Sequence, residues 1–456
     1  MKHIHFVGIG GSGLSAIAHV CLERGEQVSG SDRQPAPVLD ALRAAGAKIF
    51  VGQRAENIAG ASLLVRSSAV PDTNPEVQAA FQQGIPVLKR ADFLPMLLKD
   101  SHVIAIAGSH GKTTTTALVA WMLTALGLDP SYIIGGISHN LNGNAHAGKG
   151  SHFVIEADEY DRMFLGLAPK IAVITNVEHD HPDCYPTPED FRQAFRDFVG
   201  GLLPDGILLA CGDDSGAAAI LQHASGTGRR TVSYGLAHWL GRPMTEYQAR
   251  DLWVNPHNEL EFNAFHGSNF LATLKLQIPG EHNARNALAA LAIADLLGLS
   301  LPKAAEAIAQ FRGTGRRFQL RGEINGITLI DDYAHHPTEI RATLQSARQR
   351  YPNNRIWAVW QPHTYSRTRT FFDDFKTAFK QADAVIVTEI YAARETAPED
   401  GFSSQQVLAA MNHPQGYFAE TLESAVNLLH THTRPGDVVL VLSAGDADQI
   451  NTRLLA

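Results

Sequence analysis

The chain has 456 residues, 45% of them hydrophobic and 18% charged, which is ample for several packed cores. At roughly 100–200 residues per domain it predicts about three domains. With 38 Lys and Arg against 46 Asp and Glu, the net charge of −8 argues against a nucleic-acid coat or an anionic-membrane binder but leaves room for a local phosphate pocket.

Cys21, Cys184 and Cys211 are too few for a disulfide framework and lack the spacing of a thiolate zinc site. The N-terminus runs from Lys2 to Gly8 without an apolar signal region, and the apolar runs are strand-sized. The expectation is a cytoplasmic soluble protein.

Residues 3–9 alternate and then reach glycines, which predicts a buried first strand. A helix is expected over 12–23, where Leu14, Ile17, Ala18, Cys21 and Leu22 recur at helical spacing. Gly25 is its stop, and a second strand ends at Asp32. A helix over 37–45, a strand over 62–65, a helix over 75–83 and a strand over 86–88 complete a first unit, 1–98. The second unit, 99–315, opens with a strand over 103–107, a glycine-bearing loop and a helix over 114–126. Strands follow over 153–156 and 171–175, then a β-rich insertion over 230–276, an alanine-rich helix over 283–297 and a linker at Phe311-Arg312-Gly313. The third unit, 316–456, carries strands over 328–331, 356–359, 384–388 and 438–442, with helices between them. The fold class is α/β in three consecutive domains. The outer two are Rossmann-like, and the central one is a P-loop-type ATPase domain with a β-rich portion.

Gly8, Gly10, Gly11 and Gly13 lie between the first strand and the first helix. A tight turn there leaves free N–H groups for a diphosphate, and Asp32 can accept a ribose hydroxyl. A nicotinamide site fits this, as does a plain turn of any doubly wound domain. The second loop is more specific. Gly108-Ser109-His110-Gly111-Lys112-Thr113-Thr114 follows an apolar strand and opens a helix, the setting in which backbone N–H groups cradle a triphosphate. Lys112 can then reach the β- and γ-phosphates, and the Thr113 hydroxyl can hold Mg²⁺. The loop is one residue shorter than the full P-loop spacing.

Two acidic segments, Glu156-Ala157-Asp158-Glu159-Tyr160-Asp161 and Glu178-His179-Asp180-His181, follow the next two strands. In a parallel sheet both emerge at the edge that carries the phosphate loop. Oxygen and imidazole ligands there suit Mg²⁺ or Mn²⁺, with Glu156 and His181 the chosen pair. The remaining acids can equally cap helices at the surface.

Taken together these residues resemble the Mur ligases, the ATP-dependent amide-bond ligases of peptidoglycan synthesis. The likeness spans essentially the whole chain. It includes His5-Phe6-Val7-Gly8-Ile9-Gly10-Gly11-Ser12-Gly13, the loop at Gly108, His282-Asn283-Ala284-Arg285-Asn286 and Gly315-Arg316-Arg317-Phe318. Asp331-Asp332-Tyr333-Ala334-His335-His336-Pro337-Thr338-Glu339 and Gln361-Pro362-His363-Thr364-Tyr365-Ser366-Arg367-Thr368 complete it. The resemblance implies that the first domain binds the UDP part of a muramyl substrate through Gly10, Gly11, Ser12, Gly13, Asp32 and Ser68. It implies ATP on Gly108 to Thr114, with Asn283 and Asn286 near adenine and Arg317 and Asp332 approaching the nucleotide. Thr113, Glu156 and His181 match the metal residues. Lys112, Asp332, His336 and Arg367 are the expected catalytic residues, and His181 and Arg367 also face substrate. Arg367 and Arg369 could each hold a carboxylate or phosphate.

The implied reaction joins UDP-N-acetylmuramate and L-alanine. A lactyl carboxylate attacks the γ-phosphorus of ATP, and the alanine amine attacks the resulting acyl phosphate, with His336 or Asp332 as base. Tyr160, where the alanine-adding branch usually has Ser, resembles instead the branch that reattaches L-alanyl-γ-D-glutamyl-diaminopimelate during recycling. The Val7-Gly8-Ile9-Gly10-Gly11 opening favours alanine addition, as does the absence of Lys between 181 and 230, where later-acting relatives carry a carbamylated lysine. A nicotinamide oxidoreductase leaves Lys112 to Thr116 unexplained. A non-catalytic nucleotide sensor is the alternative of another class.

Overall fold

The run His3–Val7 becomes the middle strand of a five-stranded parallel sheet. Its spatial order is Lys48–Val51, Gln27–Asp32, His3–Val7, Leu63–Arg66, Val87–Lys89. The computed structural model describes residues 2–237 and 244–456. The chain changes its direction of travel across the sheet between His3–Val7 and Leu63–Arg66, which opens a crevice over the glycine loop. The helix Ser12–Glu23 has the expected bounds, and Gly25 follows its end at φ +80°. Three elements go beyond the expectation, the edge strand Lys48–Val51, none of whose residues is fully buried, the short 3-10 helix Ala55–Ile58 and the helix Arg90–Leu98.

Among the described residues the second sheet has ten strands. Six run parallel, in the order Arg230–Leu236, Ile207–Cys211, Ile171–Ile174, His102–Ala107, His152–Glu156, Ser131–Ser138. Gly143–His146 closes one edge antiparallel. At the other edge Tyr247–Val254 joins in parallel and is followed by the antiparallel Leu260–His266 and Asn269–Leu276. The β-rich stretch is therefore continuous with the central sheet rather than set apart from it; its residues 238–243 lie outside the described residues. The wholly buried strand Ile207–Cys211 needs a partner on each side, and Arg230–Leu236 supplies the second.

Under this sheet the helix Lys112–Ala125 packs on Glu281–Leu296, which is buried on every face from Asn286 to Ala294. Its alanines let the two helices approach closely. The third sheet begins with an antiparallel hairpin, Gln319–Ile324 and Ile327–Asp332, and continues in parallel through Val438–Leu442, Ile356–Trp360, Ala384–Thr388 and Gly416–Ala419. Its central strands are wholly buried because helices cover both faces. No helix among the described residues is long and apolar enough to cross a membrane.

Candidate active site

The phosphate loop leaves the strand His102–Ala107 at Gly108, where φ is +138° and a Cβ would lie 2.0 Å from Thr175 Oγ1. Only glycine fits there. The segment after Ile171–Ile174 grips the loop from one side. Thr175 Oγ1 donates to His110 O at 2.6 Å, Asn176 Oδ1 accepts from His110 N at 2.9 Å, and Ser109 Oγ donates to Glu178 O at 2.7 Å. Gly111, left-handed at φ +81°, turns the chain into the helix, so the helix starts at Lys112 rather than at the expected 114. Lys112 Nζ donates to Gly108 O at 2.6 Å and to Glu159 Oε1 at 2.8 Å. Burial opposes its charge, but Glu159 and Glu156 outweigh that and hold its pKa above the ordinary lysine value.

Thr113 Oγ1 donates to Glu156 Oε1 at 3.1 Å, and Gly135 N donates to Glu156 Oε2 at 2.8 Å. Burial raises the Glu156 pKa against these bonds and Lys112. Glu159 Oε2 is buried with no hydrogen-bond partner among the described residues. Thr113 and Glu156 thus set two oxygen donors side by side, and Glu159, on the neighbouring Lys112, adds an unfilled acceptor, the chemistry a hard divalent cation takes. His181 adjoins it, with Nε2 3.7 Å from Glu159 Oε1. Burial opposes its charge, while Asp180 and Glu159 outweigh that and raise its pKa above the ordinary histidine value.

Arg367 reaches this corner from the third unit and is already paired. Its Nε and Nη2 donate to Asp180 Oδ1 at 3.0 and 2.8 Å, with both side chains buried. Burial works against the Asp180 charge, and Arg367 overrides it, keeping the carboxyl far below its usual range. Arg369 pairs with Asp400 at the surface.

His110 forms a second bridge between units. Its Nε2 lies 2.9 Å from Glu178 Oε2, its Nδ1 lies 3.2 Å from Glu339 Oε1, and Thr338 Oγ1 donates to Glu178 Oε1 at 2.7 Å. Burial opposes its charge, yet Glu339 and Glu178 push its pKa to about 10. His110, Glu178 and His336 place ligand atoms within 4.8 Å of one another, as a metal site would. The imidazolium of His110 has no lone pair to offer a cation. With the folded pKa raised from 6.5, the bridge stabilises fully below about pH 6.5 and fades as pH rises through about 10. Across that window the unfolding midpoint should fall more steeply in the parent chain than in His110→Gln. Parallel curves would mean the bridge carries no charge.

Between the second and third units lies a cavity of about 400 Å³, bordered by His110, Gly111, Asn283, Asn286, Arg317 and Asp332 among others. Asn286 Nδ2 donates to Asn283 Oδ1 at 3.1 Å, and Arg317 Nη1 lies 3.4 Å from Glu339 Oε1. Asp332 Oδ2 accepts from Phe318 N at 2.6 Å, and Oδ1 accepts from Ala334 N at 2.8 Å, tying the linker to the third sheet. His336 Nδ1 accepts from Thr338 N at 3.3 Å, which leaves the ring proton on Nε2, a buried N–H without a partner among the described residues. Burial and His110 push its pKa down to about 4, so the ring is neutral at pH 7.

In the first unit Asp32 Oδ2 accepts from Gly10 N at 2.9 Å, and Gly11 N donates to Gly8 O at 3.2 Å. Gly13 follows Ser12 at the helix start and lies so close to Arg90 that a Cβ would meet Nη1 at 1.6 Å. Arg90 in turn pairs with Asp158 at 3.1 Å, which links this loop to the acidic segment of the second unit. Ser68 is exposed in the turn after Leu63–Arg66. Sequence reasoning passed over Arg90, Gly135 and Glu339, and it left Glu159, Glu178 and Asp180 open among the acids.

Three family models match the chain. They are the Mur ligase family catalytic domain over 3–102, the Mur ligase middle domain over 106–294 and the Mur ligase glutamate ligase domain over 316–445. The chain is 40% identical to a UDP-N-acetylmuramate–L-alanine ligase of Caldanaerobacter subterraneus subsp. tengcongensis, with 100% of this chain and 97% of that one covered. It is 42% identical to the enzyme of that name from Renibacterium salmoninarum, with 100% and 96% covered. Among solved structures it matches a UDP-N-acetylmuramate-alanine ligase of Thermotoga maritima at TM-score 0.83 and 30% identity, covering 100% of this chain and 98% of that one. A murein peptide ligase of Psychrobacter arcticus matches at TM-score 0.72 and 26% identity, with the same coverage.

Proposed function

The chain belongs to the Mur ligase family, and from that premise we propose how its residues run the reaction. It is an ATP-dependent ligase that joins L-alanine to UDP-N-acetylmuramate in peptidoglycan precursor synthesis. The observation that carries the assignment of parts is the phosphate loop, with Lys112 at the helix start and the third unit closed over it through Arg367–Asp180 and His110–Glu339.

The lactyl carboxylate attacks the γ-phosphorus, ADP leaves, and an acyl phosphate forms. The alanine nitrogen then attacks its carbonyl carbon and phosphate departs. Lys112 and the loop N–H groups offset the charge that gathers on the transferred phosphoryl oxygens. Mg²⁺, held by Thr113 and Glu156 with Glu159 or His181 beside them, supplies further neutralisation when bound. Asn283 and Asn286 face the adenine end of the cavity. The amine proton goes to Asp332, whose Oδ2 keeps a lone pair beyond the bond from Phe318. His336 acts as a donor, since its Nδ1 lone pair is already used. Gly10, Gly11, Ser12, Gly13, Asp32 and Ser68 hold the UDP portion.

The deciding assay is ATP-dependent phosphate release with UDP-N-acetylmuramate, comparing L-alanine with L-alanyl-γ-D-glutamyl-diaminopimelate and confirming product mass. Alanine-dependent release is the expected result. Release with the tripeptide alone would assign the chain to recycling, the reading that Tyr160 favours. A Cβ at Gly135 would lie 2.5 Å from Glu156 Oε2. Gly135→Ala should therefore push that carboxylate aside and raise the Mg²⁺ needed for half-maximal turnover about 10- to 100-fold. An unchanged Mg²⁺ titration would remove Glu156 from the metal set.

A further inference from the structure

Most cations around the phosphate loop are committed. Lys112 is held by Glu159, Arg317 by Glu339, Arg90 by Asp158, Arg367 by Asp180 and Arg369 by Asp400. Arg394 differs. Among the described residues it makes no ion pair and donates no hydrogen bond; its guanidinium carbon lies 4.9 Å from the centre of the Tyr160 ring.

The segment that carries Arg394 is pinned to residues 362–366. Tyr391 N donates to Pro362 O at 2.8 Å, and Thr364 N donates to Tyr391 O at 3.0 Å. The Glu395 carboxylate accepts from Ser366 N at 3.0 Å and from Ser366 Oγ. Ser366 belongs to the helix Tyr365–Thr370, the one that sends Arg367 to Asp180. Ala393, directly before Arg394, holds φ at +52°, a left-handed conformation that non-glycine residues keep only where their surroundings impose it.

Tyr160 is fixed as well. Its hydroxyl donates to Asp183 Oδ2 at 3.0 Å and its N–H to Asp158 Oδ1 at 3.1 Å. Its ring meets the His181 ring edge-on at 5.1 Å. Arg394 therefore stands one aromatic ring away from His181, which Arg367 Nη2 approaches to 3.4 Å.

Of the acids near Tyr160 and His181, Asp158, Glu159 and Asp180 are taken by Arg90, Lys112 and Arg367, while Asp183, which accepts from the Tyr160 hydroxyl, has no cationic partner among the described residues. An amino acid carries an ammonium group, which Asp183 attracts, and a carboxylate, which Arg394 attracts. We propose that Arg394 receives the α-carboxylate of the incoming L-alanine, with Tyr160 holding the guanidinium plane and Asp183 facing the amine. Stacking on an aromatic face leaves the edge N–H groups free for a two-pronged carboxylate contact. Arg367, bound to Asp180, positions the two units. The proposal rests on L-alanine being the amine substrate.

The test is steady-state kinetics of the full chain with L-alanine and with L-alaninamide, which lacks the carboxylate charge. In Arg394→Gln the KM for L-alanine should rise about 10- to 100-fold, as expected when a charge-assisted pair is lost. The KM values for ATP, UDP-N-acetylmuramate and L-alaninamide should move less than about twofold, and Arg394→Lys should fall between parent and Gln. An unchanged KM for L-alanine, an equal loss for both amines, or a rise confined to the UDP-sugar would each overturn the proposal. Absence of alanine-dependent turnover in the parent chain would instead overturn the substrate reading beneath it.

Discussion

Lys112→Met is expected to lower kcat about 10²- to 10³-fold, the loss seen when one preorganised donor to a developing charge is removed. Lys112 lies at the helix start, where its ammonium adds to the loop's N–H groups. It rests on Gly108 O and Glu159, and it must exchange these for phosphate oxygens when ATP enters. The single variant has a second consequence, because Glu159 is almost fully buried and loses its closest cation. Leaving one partner of a buried pair costs about 3–5 kcal/mol. Lys112→Met with Glu159→Gln removes both charges and should restore the unfolding midpoint while kcat stays low. Lys112→Arg keeps the charge with altered geometry and should be intermediate. Wild-type turnover in the double variant would mean that Lys112 matters only as the counter-ion of Glu159.

The second large effect is expected at Arg367. The Arg367–Asp180 pair joins two units and is shielded from water, so Arg367→Met strands a charged carboxylate inside the interface. A cost of about 3–5 kcal/mol shifts the closure equilibrium by about 10²- to 4 × 10³-fold toward open forms. Small-angle scattering should show a larger radius of gyration, and turnover should fall by a similar factor. Replacing both partners, Arg367→Met with Asp180→Leu, removes the stranded charge. It should recover the compact radius and most of the ATP affinity. If the double variant closes and also regains turnover, Arg367 acts through closure alone. A single variant that stays compact would show that the other bridge, His110–Glu339, holds the units without it.

The sequence was most legible where chemistry is local. Glycine loops between a strand and a helix, the helix Ser12–Glu23 and the four expected strands of the third unit follow from periodicity and turn residues. The hairpin Gln319–Ile324 to Ile327–Asp332 had a signal that went unused. Asn325-Gly326, both left-handed at φ +50° and +75°, are the two-residue turn that joins such strands. Partners across units were not legible. Asp180 meets Arg367, which is 187 residues later, and no spacing rule links them. Asp332 and His336 were marked as bases from their motif. Only the fold separates them: Asp332 takes one backbone N–H on each oxygen and keeps a lone pair on Oδ2, while the Nδ1 lone pair of His336 caps its own helix. Tyr160 stood out as a departure within a motif, and its meaning waited on Arg394, which comes from a different unit.

The cavity walled by both the second and third units has a thermodynamic consequence. A nucleotide lodged there touches both walls only when they are together, so its affinity for the closed arrangement exceeds that for the open one. Linkage makes that preference mutual. Whatever factor ATP contributes to closure, and through closure to the affinity for an amino acid gripped between the same units, the amino acid must return to ATP. The two dissociation constants are then not independent properties of this chain. A substitution that favours closure should tighten both ligands while shrinking the coupling between them, because less of the equilibrium remains to be shifted.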